Sequence, residues 1–232
     1  MTESKALLGL IQENLDEFCN ARRVEFEMIS PDLVPVVDYT QDLLRGGKRF
    51  RALFTYWSWV GALESADLQQ SEKQRAASAE AMVSITAALE MFHAAALVHD
   101  DLLDQSDTRR GAPSVHKRFE ALHQESGWAG SSERFGTAGS VLVGDLMLGW
   151  SSELFGNALL NAPTPEIETA CRNEFSKMRV EVMAGQYLDV LEENAALTRP
   201  ASESVGRATR VILYKTAKYS IEAPMLIGAA FA

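Results

Sequence analysis

The tract Leu97-Val98-His99-Asp100-Asp101-Leu102-Leu103-Asp104 sets three carboxylates at the end of a long apolar run. Residues four apart share a helix face, so Asp100 and Asp104 are expected to point the same way. Two carboxylates about 4 Å apart repel by roughly 4 kcal/mol at an effective dielectric near 20. A bound cation relieves that repulsion. Hard divalent cations take oxygen ligands, and Mg²⁺ is usually held by one or two carboxylates plus substrate phosphates. His93 lies two helical turns before Asp100 and falls on the same face, whereas His99 falls off it and receives no role.

Two basic clusters flank this tract. Gly46-Gly47-Lys48-Arg49-Phe50-Arg51 joins a flexible turn to three cations at the start of a helix. Lys48 and Arg51 are three apart and are expected to share a face. Helix N-terminal amides beside such cations make an anion site, although the glycine spacing is not that of a Walker loop. Arg109-Arg110-Gly111 follows the acids. Adjacent arginines point in different directions, so two anions could be served, and arginine suits bidentate phosphate recognition. Taken singly, each cluster is also compatible with a solvated basic loop, less so for the arginine pair because acids lie beside it.

Weaker signals lie further on. Gly185 sits inside a long helical pattern, where glycine costs about 1 kcal/mol against alanine, and marks close packing or a ligand approach. Gln186 and Asp189 share a face there, and Tyr214-Lys215-Thr216 offers a cation and a hydroxyl on another helix. His116 and His123 are seven apart with no acidic partners for a zinc site.

These groups must be positioned by helices. Period-two runs and Asn-Gly turns are absent from the sequence, whereas helical periodicity is strong. The pattern predicts helices over about 5–22, 33–44, 50–63, 72–104, 114–123, 135–160, 165–194, 200–218 and on toward 232. In the first, Leu7, Leu8, Ile11, Leu15 and Phe18 form the apolar stripe. Loops are expected at 65–71, 106–113 and 126–132. Thr164-Pro165-Glu166 is a capped helix start, and Pro224 is expected to kink the last helix. The fold expected is all-α, a single domain over 1–232.

Composition narrows the function further. The 232 residues are 47% hydrophobic and carry a formal charge of -10. A large core is available, and the acidic balance disfavours nucleic-acid binding. Two distant cysteines suit a reducing cytoplasm. The N-terminus lacks a signal-peptide pattern. Glu90 and His93 interrupt the most apolar window, 81–98, which is expected to be a buried helix and not a membrane span. The apolar end, Ile227-Gly228-Ala229-Ala230-Phe231-Ala232, carries no polar cap, so the sequence is expected to be incomplete at its C-terminus.

In order, the motifs resemble those of the trans-isoprenyl diphosphate synthases, the polyprenyl synthetase family. The matching pieces are Gly46-Gly47-Lys48-Arg49-Phe50-Arg51, Asp100-Asp101-Leu102-Leu103-Asp104, Arg109-Arg110-Gly111, Gly144-Asp145, Gly185-Gln186-Tyr187-Leu188-Asp189 and Lys215-Thr216. The text around Tyr56-Trp57-Ser58-Trp59 and Pro113-Ser114-Val115-His116 is most similar to bacterial geranylgeranyl diphosphate synthases.

The resemblance implies the isoprenoid synthase fold, a bundle of long antiparallel helices around a central apolar cavity. It implies a homodimeric prenyltransferase that condenses isopentenyl diphosphate with an allylic diphosphate. Asp100 and Asp104 would hold Mg²⁺, with Asp101 in support. Arg109 would bind the allylic diphosphate, and Lys48, Arg51, His93 and Arg110 would bind isopentenyl diphosphate. Lys215 and Thr216, with Gln186 and Asp189 in support, would act at the reacting centre. The product tail would run down the Asp100 helix past Ala96 and Ala95 to Phe92, implying a chain of about twenty carbons, since Phe92 lies roughly 12 Å along the axis.

One departure stands out. The family carries a second aspartate-rich motif, yet no Asp-Asp pair follows Asp101. The 232 residues alone are therefore expected to be inactive or nearly so. A non-catalytic subunit of a synthase heteromer and a terpene cyclase are the alternatives; a cyclase has no use for the basic Gly-Gly-Lys-Arg turn.

Overall fold

A computed structural model describes residues 2–65 and 72–232. The expected loop at 65–71 lies almost wholly outside the described residues. The helices are α1 (Thr2–Ile29), α2 (Val34–Leu44), α3 (Phe50–Ser65), α4 (Glu72–Leu103), α5 (Val115–Glu125), α6 (Ser132–Leu159), α7 (Pro165–Ala195), α8 (Ser204–Val211) and α9 (Ala223–Ala230). The all-α expectation holds. The Thr164 side chain caps α7, accepting from the Ile167 amide at 3.3 Å.

The chain divides into two compact units, Met1–Arg49 with Val83–Phe155, and Phe50–Met82 with Gly156–Ala232. In the first unit α1 lies along α2. Its buried stripe is Leu7, Ile11, Leu15 and Cys19, with Leu8 and Phe18 half-buried at its margin. Asn14 donates to Ser84 at 3.1 Å and Ser151 to the Ala88 carbonyl at 2.9 Å, tying α1 and α6 to α4. In the second unit α9 packs on α3 and α7, and Ser58 donates to the Met225 carbonyl at 2.7 Å.

The stretch Gln74–Leu103 is long and apolar enough to cross a membrane by length and composition. However, 72% of its most apolar window is buried inside the protein, as a core helix requires.

Three local expectations are corrected. The loop at 106–113 contains a small antiparallel hairpin, β1 (Thr108–Arg109) with β2 (Ala112–Pro113), Arg109 opposite Ala112. Its two-residue connection, Arg110-Gly111, has φ of 54° and 81°. Positive φ at both positions makes a primed turn, whose twist matches that of the strands. Only Gly111 hinted at this in the sequence.

The helix expected to run unbroken to Lys218 widens into a π-helix over Ile212–Glu222. Pro224 then sits in the first turn of α9 and does not kink it. A proline ring clashes with the carbonyl four residues back, and widening the preceding turns is one way to relieve that clash.

The third correction concerns Lys48 and Arg51. Helix α3 begins only at Phe50, so Lys48 belongs to the preceding loop and the two do not share a helix face. Arg49, with φ of 48°, turns into the protein, 7% exposed. It donates to the Leu44 carbonyl at 2.9 Å and to Gln12. Burial lowers its pKa from the usual guanidinium value. It is a structural cation.

Candidate active site

In the first unit the acidic tract ends α4. The Asp104 amide donates to the Asp100 carbonyl at 2.8 Å, so the helical turn continues past Leu103 and keeps these two carboxylates on one face. Asp101 is different: it is 2% exposed. Its carboxylate accepts from Arg109 Nε at 2.9 Å and also from Arg109 Nη2. Arg109 Nη2 further reaches Asp100 at 3.4 Å. The Asp101 pairing, ahead of the opposing cost of burial, raises the Arg109 guanidinium above its ordinary value. The hairpin creates this contact, because β1 turns the chain back over the end of α4.

Arg110 points elsewhere, as adjacent arginines should. Its Nη1 donates to the carbonyls of Leu43 and Arg45, each at 3.3 Å. The guanidinium lies against Gly47, where a Cβ would come within 3.0 Å of Nη2. Gly47 also has φ of 86°, a left-handed backbone that favours glycine there. Thus Arg110 fastens the arginine turn to the Gly46-Gly47-Lys48 turn. Lys48 is exposed and His93 half-buried.

His99 received no role from its spacing, yet it lies 3.5 Å from the Asp145 carboxylate. A Cβ on Gly144 would come within 2.1 Å of its ring nitrogen. The motif Gly144-Asp145 was the available signal: a glycine before an acid admits a close neighbour. Phe92 and Ala95 are fully buried, whereas Ala96 is half-buried.

In the second unit Gly185 meets the π-helix. A Cβ there would lie 2.4 Å from the Lys215 amide nitrogen and 2.6 Å from the Tyr214 carbonyl carbon. Close packing is therefore the reason for this mid-helix glycine. Lys215 Nζ donates to Asp189. Lys218 donates to Glu181 at 3.0 Å, a second rung between the same two elements. Arg51 donates to Ser220 at 2.7 Å and lies 4.2 Å from the Tyr219 ring centre. Gln186 is half-buried and Thr216 exposed.

Among the described residues, no ready-made cluster of three or more His, Cys, Asp or Glu donors stands out. Asp100 and Asp104 nonetheless fit Mg²⁺, which asks only one or two carboxylates of the protein when phosphate oxygens complete its shell.

These long helices and the aspartate-rich end of α4 define an all-α protein of the isoprenoid synthase fold. Residues 34–232 match the polyprenyl synthetase family model, and the chain belongs to that family. It is 29% identical over 177 residues to geranylgeranyl diphosphate synthase of Sulfolobus acidocaldarius, covering 69% of this chain and 44% of that protein. Farnesyl diphosphate synthase of Haemophilus influenzae is 25% identical over 208 residues, covering 86% and 58%. A crystal structure of geranylgeranyl pyrophosphate synthase from Corynebacterium glutamicum, with isoprenyl diphosphate and magnesium, aligns at a TM-score of 0.84 and 32% identity. That alignment covers 97% of this chain and 59% of that one. The chain thus spans about half the length of the relatives it matches.

Proposed function

We propose that this protein is a Mg²⁺-dependent prenyltransferase that joins isopentenyl diphosphate to an allylic diphosphate. The observation that carries this reading is the division of labour among the three acids. Asp101 is committed to Arg109, while Asp100 and Asp104 stay together one turn apart. A helix end whose carboxylates served only solvation would not bury one of them on a neighbouring arginine.

In this reading Asp100 and Asp104 hold the metal. Mg²⁺ bound there supplies Lewis-acid stabilisation of the departing diphosphate. Arg109 binds the allylic diphosphate, oriented by Asp101. Lys48, Arg51, His93 and Arg110 bind isopentenyl diphosphate. Lys215, steadied by Asp189, and the Thr216 hydroxyl stand by the developing allylic cation, with Gln186 in support. The apolar helix walls exclude water that would quench the cation. The isopentenyl double bond forms the new C–C bond, and the proton lost goes to the released diphosphate. The favoured product has twenty carbons, with Ala96, Ala95 and Phe92 along its tail, and the working form is a homodimer. With one aspartate-rich motif, the 232 residues alone elongate poorly.

The test reads binding separately from turnover. A non-ionisable allylic thiodiphosphate is titrated into the chain with Mg²⁺ or with EDTA. Binding is expected with Mg²⁺, lost with EDTA and lost in Asp100→Ala. In a condensation assay of a chain that carries both aspartate-rich motifs, turnover is expected to fall by orders of magnitude in Asp100→Ala. Binding indifferent to both metal and Asp100, or turnover of that chain within a few-fold of wild type in the variant, overturns the reading.

A further inference from the structure

Two lysines of the π-helix are committed to acids. Lys215 pairs with Asp189, and Lys218 takes both Glu181, at 3.0 Å, and Glu222, at 3.7 Å. Arg51, in the same compact unit, differs. Its side-chain contacts among the described residues are a hydroxyl and a ring, not a carboxylate. It is half-buried, and its Nε is buried with no hydrogen-bond partner. It is also the second residue of α3, where the positive helix end disfavours a cation. A neutral residue would relieve each of these costs, so stability alone does not account for an arginine here.

Two adjacent residues of the π-helix hold this arginine. Its Nη2 donates to the Ser220 hydroxyl at 2.7 Å, and its guanidinium carbon lies 4.2 Å from the Tyr219 ring centre. Neighbouring helical residues point about 100° apart, so the ring covers a face of the guanidinium while the hydroxyl fixes an edge. Stacking by itself leaves a planar cation free to turn in its own plane; a directional hydrogen bond removes that freedom. Nη1 stays uncommitted among the described residues, and its donors can serve an anion.

The packing that brings this pair to Arg51 is set further along the chain. Helix α9 follows the π-helix directly and lies on α3. A Cβ on Gly228 would meet the Thr55 carbonyl oxygen, and Ser58 donates to the Met225 carbonyl at 2.7 Å. Thr55 in turn donates to the Arg51 carbonyl at 2.9 Å.

We propose that Ser220 is a positioning residue. Its hydroxyl orients the Arg51 guanidinium, stacked on Tyr219, toward the diphosphate of isopentenyl diphosphate. This role rests on the prenyltransferase reading, in which Arg51 binds that substrate. Ser220 acts through Arg51 and not on the reacting carbons. It therefore sets affinity for isopentenyl diphosphate and leaves ionisation of the allylic substrate alone.

The test is steady-state kinetics of a chain that carries both aspartate-rich motifs. In Ser220→Ala the KM for isopentenyl diphosphate is expected to rise about tenfold, the effect of losing one hydrogen bond to a charged group. The KM for the allylic diphosphate and kcat are expected to stay within about twofold, as when only ground-state binding is removed. Ser220→Thr keeps the hydroxyl and is expected to restore the affinity. Ser58→Ala loosens the same helix docking without touching a cation; it is expected to lower Tm and leave that KM unchanged. In an Arg51→Gln background, Ser220→Ala is expected to add nothing, since the two substitutions remove one shared contact. An unchanged KM in Ser220→Ala, an equal rise in Ser58→Ala, or full additivity with Arg51→Gln overturns the proposal while the prenyltransferase reading stands. A wild-type chain with both motifs and no condensation activity overturns that reading, and the proposal with it.

Discussion

Asp100 and Asp101 are neighbours of the same type with opposite duties. Asp101 is buried against Arg109, so Asp101→Ala removes charge-assisted hydrogen bonds and leaves the guanidinium only its 3.4 Å contact with Asp100. A loss of about 2 kcal/mol is expected. Asp100→Ala relieves repulsion within the acidic tract and is expected to leave stability nearly unchanged. Urea denaturation midpoints of the two variants check this; equal losses would mean that the burial difference does not matter.

His116 supplies a second prediction at this scale. Burial, and then the adjacent Lys117, lower its pKa from the usual value. The opposing pull of Asp101, Asp107 and Glu120 is weaker. The folded protein therefore disfavours the protonated ring. This contribution to stability is fully present above about pH 6.5, the unfolded value. It is lost as pH falls from there toward the lower folded value. Denaturation midpoints measured from pH 7.5 to 5.5 should fall, with a shallower fall in His116→Gln. An identical slope in the variant would place the titration elsewhere.

At the scale of elements, the approach of α7 to the π-helix is set by Gly185. Alanine would gain about 1 kcal/mol of helix propensity. Its Cβ would nevertheless meet backbone at Lys215, and overpacking costs about 1–3 kcal/mol. Gly185→Ala is expected to lower stability and, in a chain that carries both aspartate-rich motifs, to cut turnover more than substrate affinity, because it displaces Lys215. Stability and kcat above wild type would show that the helices yield.

The chain-length reading belongs here too. Ala96 is half-buried where Ala95 and Phe92 are fully buried, so Ala96→Phe can project without rebuilding the core. A shorter product is expected by mass spectrometry from a chain that carries both aspartate-rich motifs; an unchanged profile would move the floor of the product channel to another helix.

For the whole molecule, ligand linkage makes the prenyltransferase reading visible without turnover. A ligand at one hundred times its Kd stabilises by about 2.7 kcal/mol. In a chain of this size that raises Tm by about 5–10 °C. Mg²⁺ with an allylic thiodiphosphate is expected to give a rise of this order, absent in Asp100→Ala.

Much of the molecule is legible in the sequence itself. Helix periodicity, the Thr164-Pro165 cap, the Asp100/Asp104 face and the ordered motifs are properties of short windows, where spacing alone decides which side chains align. The long-range pairings are not. Nothing local tells that a primed turn at Arg110-Gly111 carries Arg109 back to Asp101, or that Arg49 turns inward to Leu44 while Lys48 stays out. Nothing local places His99 over Gly144, or widens the helix at 212–222 where Gly185 lets it approach. Local spacing determined which residues were available for chemistry. Tertiary packing decided which of them are committed to each other, because such pairs depend on where distant segments return.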